Sequence, residues 1–481
     1  MAEVLKTCLE RCIRQSKRVE TIALAAANEA AAAASNDVRW DAFTIVLEDH
    51  AEPQKPGTPP WIRFGGQSLE APLTLLEELG DSPVRLVDAR FLVALARKGG
   101  ILLRRQDLPD AAFVSLHRLK EMRSGGPYGQ SLRLVCISYP WLTPDHPDPY
   151  GENLRLIARV LEDFIEPGID PTGSGNSIAG GTLAVFLDFS SLHQKGPDGR
   201  RTALEAELFG RALRGLSEWY AHPHTMVFKV THLPAGYPDG FSFPEGTQPN
   251  QAAYFERGWC YCESSLSNLV KASHMVIDLA LYNPSEETGV PNLLESVARD
   301  CSARRTPPMT PAEFATQLEH KSFTSKKADL ATVGQIYCTG FEERMGSATE
   351  LIYTHLSWGD GEARTLAAVL ASAYLVQLQV LSLSENSIGD AGLIALAQSV
   401  GSLSHTPLPV LYTLQLDSNS FGDAGVVALS AAIDNGALPA LQMLNLEDNE
   451  GVTEDGWLAI QSSGAKRKDP RGRRILISSD G

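Results

Sequence analysis

The chain has 481 residues, 43% hydrophobic and 21% charged, with a formal net charge of −16. This is globular composition in a chain too long for one ordinary core, so several domains are expected, and the acidic balance disfavours general binding to nucleic acid or anionic membranes. No apolar run is long enough to cross a bilayer, the opening MAEVLKTCLERCIRQ is too charged for a signal peptide, and the seven cysteines are odd in number and scattered, so a reducing, cytoplasmic setting is expected.

Residues 1–36 carry no Pro or Gly and read as an N-terminal helix, with Cys8 and Cys12 on one face as small buried hydrophobes. Residues 37–128 form a mixed helical and loop region. HAEPQKPGTPP is a loop by its prolines, and RLVDARFLVALARK and LPDAAFVSLHRLKEM read as short helices. The texture changes over 129–284. SLRLVCIS is a nearly continuous apolar run, as expected of a strand buried on both faces. A helix follows, with Leu154, Ile157, Leu161 and Ile165 at helical spacing, then the Gly/Ser-rich loop DPTGSGNSIAGG. TLAVFLDF reads as a second strand, a helix carries Leu204 to Trp219, TMVFKV is a third strand and HMVIDLAL a fourth. Strands alternating with helices predict a parallel sheet with helices on both faces, and ligands of such sheets sit at the carboxyl ends of the strands. Those ends carry Ser138-Tyr139-Pro140-Trp141, Asp188-Phe189-Ser190-Ser191 and Lys229-Val230-Thr231-His232.

The helix RGWCYCESSLSNLVK (257–271) precedes the fourth strand. At about 100° per residue, Trp259, Leu266, Leu269 and Val270 form one apolar stripe, Glu263 falls at its edge, and Ser264, Ser267, Asn268 and Lys271 take the polar side. A carboxylate at such a boundary faces either a cleft or a bland partner, Arg257 or a backbone amide. Residues 285–345 are a charged helical connector in which TPAEF starts a helix, with Thr310 as N-cap, Pro311 in the first turn and Glu313 completing a capping box.

The end of the chain, 346–481, repeats itself. LQVLSLSENSIGDAGLIAL (378–396) matches LYTLQLDSNSFGDAGVVAL (411–429) and LQMLNLEDNEGVTEDGWLAI (441–460), and a degenerate copy begins at Leu351. In each unit the paired leucines, such as Leu381 and Leu383, point inward from a short strand, Asn386, Asn419 and Asn449 bond the turning backbone, and Gly389-Asp390 and Gly422-Asp423 open the helices. The copies resemble leucine-rich repeats of the ribonuclease-inhibitor type. They imply a short α/β solenoid whose concave sheet binds a protein partner, the alternative being an array that only caps the neighbouring domain. A basic tail, AKRKDPRGRR, follows.

In order, LVCISYPW, VFLDFSSLHQKGPDG and RGWCYCESSLSNLVK resemble the first strand, the second strand with its loop, and the W-x-x-x-E helix of the TIR superfamily and the related heterokaryon-incompatibility (HET) domains. The resemblance covers about a third of the chain. It implies a flavodoxin-like, three-layer parallel-sheet domain. Catalytic TIR domains cleave the nicotinamide–ribose bond of NAD, and the glutamate matching Glu263 is their essential residue. NAD is then a substrate and no cofactor is implied. A nearby carboxylate stabilises the oxocarbenium-like transition state, and nicotinamide leaves without a general acid. Trp259 would support the glutamate, Tyr139 and Trp141 would stack on a ring, and Asp188 and His193 would line the mouth. The alternative is an interaction or scaffold protein with a catalytically silent TIR-like domain that self-associates. Metal ligation is not expected: His222-x-His224 and Cys260-x-Cys262 sit on different elements and lack zinc-site spacing. Ser190-Ser191 lacks a nucleophile elbow, and TGSGNSIAGG lacks the P-loop lysine.

Overall fold

The structure is a computed structural model. It describes residues 82–115, 133–165, 183–282, 301, 305–323, 326–401, 408–466 and 475–478, apart from positions 197, 224, 238, 244 and 247. The expected N-terminal helix, the proline loop, the Gly/Ser-rich loop, most of 283–304 and most of the basic tail lie outside the described residues. The chain divides into two compact units: 1–219 with 224–257 and 283–294, and 220–223 with 258–282 and 295–481.

In the first unit, β1 (Val87–Asp88), β2 (Arg133–Ser138), β3 (Leu183–Leu187) and β4 (Met226–Lys229) lie in the order β1-β3-β2-β4. β2 is parallel to both β3 and β4, pairing Val135 with Val185 and Cys136 with Val227. β1 is antiparallel to β3 and pairs Val87 with Val185. It comes from the stretch read as a helix. Only Ala89–Arg97 of that stretch is helical (α1), capped by Asp88, whose carboxylate accepts the Arg90 N–H at 2.8 Å. The described start of the next expected helix, 108–115, is also not one: it holds a single 3₁₀ turn, and Phe113 bridges to Val87. α1 packs on α2 (Glu152–Ile165). The apolar runs of β2 and β3 are buried throughout their described residues, and Phe186 stacks on Trp219, ring centres 5.2 Å apart. The expected 204–219 helix is two helices, Ala203–Arg214 (α4) and Leu216–Tyr220 (α5), separated by Gly215. A one-turn helix, α3 (Asp188–Ser191), begins directly where β3 ends.

The second unit contains α6 (Gly258–Ser267), β5 (Val276–Asp278), α7 (Pro311–Leu318), α8 (Lys326–Ser347) and the repeats. α7 starts at Pro311 with Thr310 as its N-cap, as expected: the Thr310 hydroxyl accepts the Glu313 N–H at 3.3 Å, which is one half of the expected capping box. The repeats supply β6 (Glu350–Ile352), α9 (Asp360–Leu370), β7 (Val380–Ser382), α10 (Asp390–Val400), β8 (Thr413–Gln415), α11 (Asp423–Asp434), β9 (Met443–Asn445), α12 (Glu454–Lys466) and β10 (Leu476–Ser478). The five strands form one parallel sheet in chain order. The helices pack side by side, and Leu381, Leu383, Leu414, Leu416, Leu444 and Leu446 are all buried.

Two side-chain ladders explain the repeated residues. Asn386 Nδ2 donates to the Tyr353 and Leu383 carbonyls at 2.8 and 3.0 Å, and its Oδ1 accepts the Leu356 and Trp358 N–H groups. Asn419 and Asn449 repeat this one unit on, donating to Leu383 and Leu416 respectively. Each asparagine therefore satisfies buried backbone of its own and of the preceding repeat. The first repeat has no predecessor, which is why Leu356 serves at that position. The second ladder joins helix starts. Asp360 Oδ1 accepts the Gly389 and Gly392 N–H groups at 2.8 Å, and Asp390 Oδ1 accepts those of Gly422 and Gly425 at 2.9 and 2.7 Å. Each aspartate thus caps the next helix. Glycine is needed opposite it, because a Cβ on Gly392 would lie 2.7 Å from Asp360 Oδ1. The first helix receives no aspartate from a preceding repeat. There Glu362 takes the glycine's place and accepts the Gly359 N–H itself, at 3.0 Å.

Candidate functional site

At the carboxyl ends of β2 and β3 the structure brings three of the expected residues together. Asp188 leads α3, and its Oδ1 accepts the Tyr139 hydroxyl at 2.9 Å and the Phe189 N–H at 2.6 Å. Its Oδ2 accepts the Trp141 indole N–H at 3.0 Å. Burial pushes the Asp188 carboxyl up to about 6, against the pull of these three donors. Trp141 also meets Phe189 edge-on, ring centres 5.4 Å apart. His193 is buried close by along the chain, with Nδ1 3.7 Å from Glu205 Oε1, and its carbonyl accepts Arg201 Nε at 2.6 Å.

These groups form a closed polar knot. Tyr139 and Trp141 donate to the carboxylate instead of presenting ring faces to a ligand, and Tyr139 is buried. The crevice between β2 and β4, where connections leave in opposite directions, is the place such sheets bind ligands. Here it is occupied by the chain. The Tyr254 hydroxyl and Ser138 Oγ are 2.6 Å apart, the Arg257 guanidinium donates to the Trp141 and Asn250 carbonyls, and the Asn250 N–H donates to the Leu142 carbonyl. The long segment after β4 is held down further by aromatic packing, with Tyr150 stacked on Phe241 at 4.7 Å. The sequence offers Arg257 only as a partner for Glu263, and in the structure its guanidinium donates to the Ala252, Trp141 and Asn250 carbonyls; the sequence gives no signal for Tyr254 or Gln194. Gln194 closes the knot from beneath, donating to the Asp188 and Leu192 carbonyls.

Glu263 and Trp259 belong to the second unit, and the other four residues belong to the first. The helix that carries them departs from the expected amphipathic pattern. It ends at Ser267, and the side expected to be polar is buried at Ser264, Ser267, Asn268 and Lys271, while Trp259 is half-exposed. The physical reason is that α6 is covered on more than one face by its own unit. α8 packs against it, with the Cys262 thiol 3.9 Å from the Val333 carbonyl, and Tyr261 stacks on Phe314 at 5.3 Å. The Gly258 N–H donates to Ser322, and the Phe323 ring fills the space a Cβ would need. Small Ser and Cys side chains allow such approach. Glu263 is 7% exposed. Burial, and then the Glu263 carboxylate, raise the adjacent Cys262 thiol well above its ordinary range.

Beyond α6, Arg305 is a buried guanidinium, 3% exposed, whose Nη2 donates to the Asn268 and Lys271 carbonyls at 3.1 and 2.6 Å. It lies over the Tyr353 ring at 5.2 Å, and its own carbonyl accepts the Trp358 indole N–H at 2.8 Å. The end of α6, the connector and the first repeat are therefore one packed structure. Burial lowers the Arg305 guanidinium to about 10.

The open face of the repeat sheet, opposite the helices, has a different character. Met443 and Leu476 stand exposed at aligned positions of two adjacent strands, at 50 and 70%, and Tyr412, just before β8, is 37% exposed. Their apolar atoms have no cover among the described residues of that sheet. Residues 377–397 and 409–430 match the leucine-rich repeat family. That match does not reach residues 131–282. No curated protein matches the chain. The chain therefore carries leucine-rich repeats in a mixed α/β structure, and among the described residues no helix is long and apolar enough to cross a membrane.

Proposed function

We propose that this is an interaction protein whose leucine-rich repeats bind a protein partner on the open face of their sheet. The observation that carries this reading is the pair Met443 and Leu476: large apolar side chains aligned on neighbouring strands and left exposed on a rigid, laddered sheet. The closed Asp188 knot supports a structural role for the other sheet and weighs against a ligand crevice between β2 and β4. The test is site-specific photo-crosslinking in cells. A crosslinker at Met443 should capture a discrete protein, identified by mass spectrometry, and one at Leu458 on a helix should not. Equal capture from both positions, or none from Met443, would end this reading.

A second reading keeps the expected chemistry: a TIR-like region that cleaves NAD at the nicotinamide–ribose bond, with Glu263 gripping the ribose and stabilising the oxocarbenium. Its support is that Glu263 is withdrawn from solvent on α6, 7% exposed. In this reading 129–284 acts as one domain and self-associates. Nicotinamide release by the full-length protein should fall at least 100-fold in Glu263→Gln. Equal turnover by a folded Glu263→Gln protein, or no turnover by the wild type, would remove it.

A further inference from the structure

Between Glu350 and Gly464 the chain has thirteen aspartate and glutamate residues against one arginine, Arg364, no lysine and two histidines. Most of the molecule's charge of −16 is thus concentrated in the repeats. The strand-and-turn segments 349–358, 379–388, 412–421 and 442–451 contain no lysine or arginine. The charge is arranged on the open face. Along each strand the side chains alternate, so Met443 and Glu447 face outward while Leu444 and Leu446 are buried. Strand pairing aligns Leu476 with Met443, so these two exposed apolar side chains lie side by side on the open face near the strand starts, while the residue aligned with Met443 on β8 is the buried Thr413. Beyond the strand ends runs an acidic row, Glu385, Asp417, Glu447 and Asp448, each at least partly exposed.

The apolar pair and the acidic row fix the shape of the occupant. From Met443 to Glu447 is four residues, or about 13 Å of extended chain. That is close to the ~10–12 Å diameter of a helix with its side chains. Five strands at ~4.8 Å spacing cover about 19 Å, the length of roughly 13 helical residues. A helix laid across the strands sets one side on the apolar pair and its flank on the acidic row. An extended segment alternates its side chains and cannot serve both in this way. A second copy of this acidic chain, a nucleic acid and an anionic membrane all meet like charge. The chain's own basic segment, 465–474, contains Pro470 and Gly472 and no large apolar anchor.

We propose that the open face of the repeats takes an amphipathic, Lys/Arg-rich helix of a partner protein, its apolar stripe on Met443 and Leu476 and its basic flank on Asp417, Glu447 and Asp448. The inference rests on the reading of the repeats as a partner-binding surface. Opposite charge steers the encounter, and the apolar pair holds the complex.

Fluorescence anisotropy with the full-length protein tests it. The probes are a labelled 14-residue Leu/Lys peptide in amphipathic order, the same composition in permuted order, and a Leu/Glu counterpart. The amphipathic basic peptide should bind saturably, at least 10-fold tighter than either control, and weaken as salt rises. Met443→Glu and Glu447→Lys should each weaken it at least 5-fold, with thermal melts confirming that both variants fold. Asp434→Lys, exposed at the end of α11, should change it less than 2-fold. Equal binding of the permuted peptide, an equal effect of Asp434→Lys, or no saturable binding would overturn the proposal. So would a 10-fold gain on neutralising Arg471, Arg473 and Arg474, which would make the chain's own segment the occupant. If the crosslinked natural partner depends on Met443 but not on Glu447, the repeats still bind a protein and the basic-helix inference alone falls. If it depends on neither, both fall.

Discussion

Asp188 shows what a buried carboxylate does when its donors come from its own fold. Its folded value of about 6 lies above the ordinary 3.8. The charged form is the one burial penalises, so this residue's contribution to stability is fully present below about pH 4 and is lost as pH rises through 6. Roughly two units correspond to about 3 kcal/mol between pH 4 and pH 7. Denaturant titrations of wild type and Asp188→Asn should show the stability difference shrinking by that order over this range. A difference independent of pH would mean that Asp188 is ionised throughout. Gly258 makes a simpler case: a methyl there meets Phe323, so Gly258→Ala should cost 1–3 kcal/mol in the same assay. The sequence placed Tyr139, Trp141 and Asp188 at strand ends correctly, because buried apolar runs mark where strands stop. It did not show that these three residues bond one another, because that depends on how loops over 40 residues apart return to one spot.

The repeats were legible at the scale of the element, because every partner in their ladders lies one period away. Asn, Gly and Asp recur at fixed places since each bonds its counterpart in the neighbouring unit. Asp390→Ala strips the acceptor from two N–H groups at the start of α11 and should cost about 1–2 kcal/mol. Asn419→Ala leaves buried carbonyls and the Ile388 N–H without a partner and should cost roughly 3 kcal/mol. Unfolding of the two variants measures both, and equal small losses would mean that the ladders are incidental. α6 was not legible in this way. Its period gave a polar side, but burial on several faces made Ser264, Ser267 and Asn268 core residues, and tertiary packing overrode the pattern.

For the whole molecule, the least expected result is which elements belong together. Arg305 joins the carbonyls at the end of α6 to Tyr353 and Trp358 of the first repeat, so α6 and the repeats share a core. Native-state hydrogen exchange should find α6 and α9 opening together, within about 1 kcal/mol of each other; separate openings would contradict a shared core. Composition alone did not reveal this, since the residues between 282 and 305 carry no marked signal. The charge distribution was readable from the start, but its meaning required the strand register, which sets an apolar pair beside an acidic row. The central claim is that this face binds a protein. Its most direct test is the affinity of the partner captured at Met443, purified and titrated against wild type, Met443→Glu, Leu476→Glu and Leu458→Glu. The account predicts at least a 10-fold loss for each of the first two variants and wild-type affinity for the third. Unchanged affinity in Met443→Glu and Leu476→Glu would contradict it.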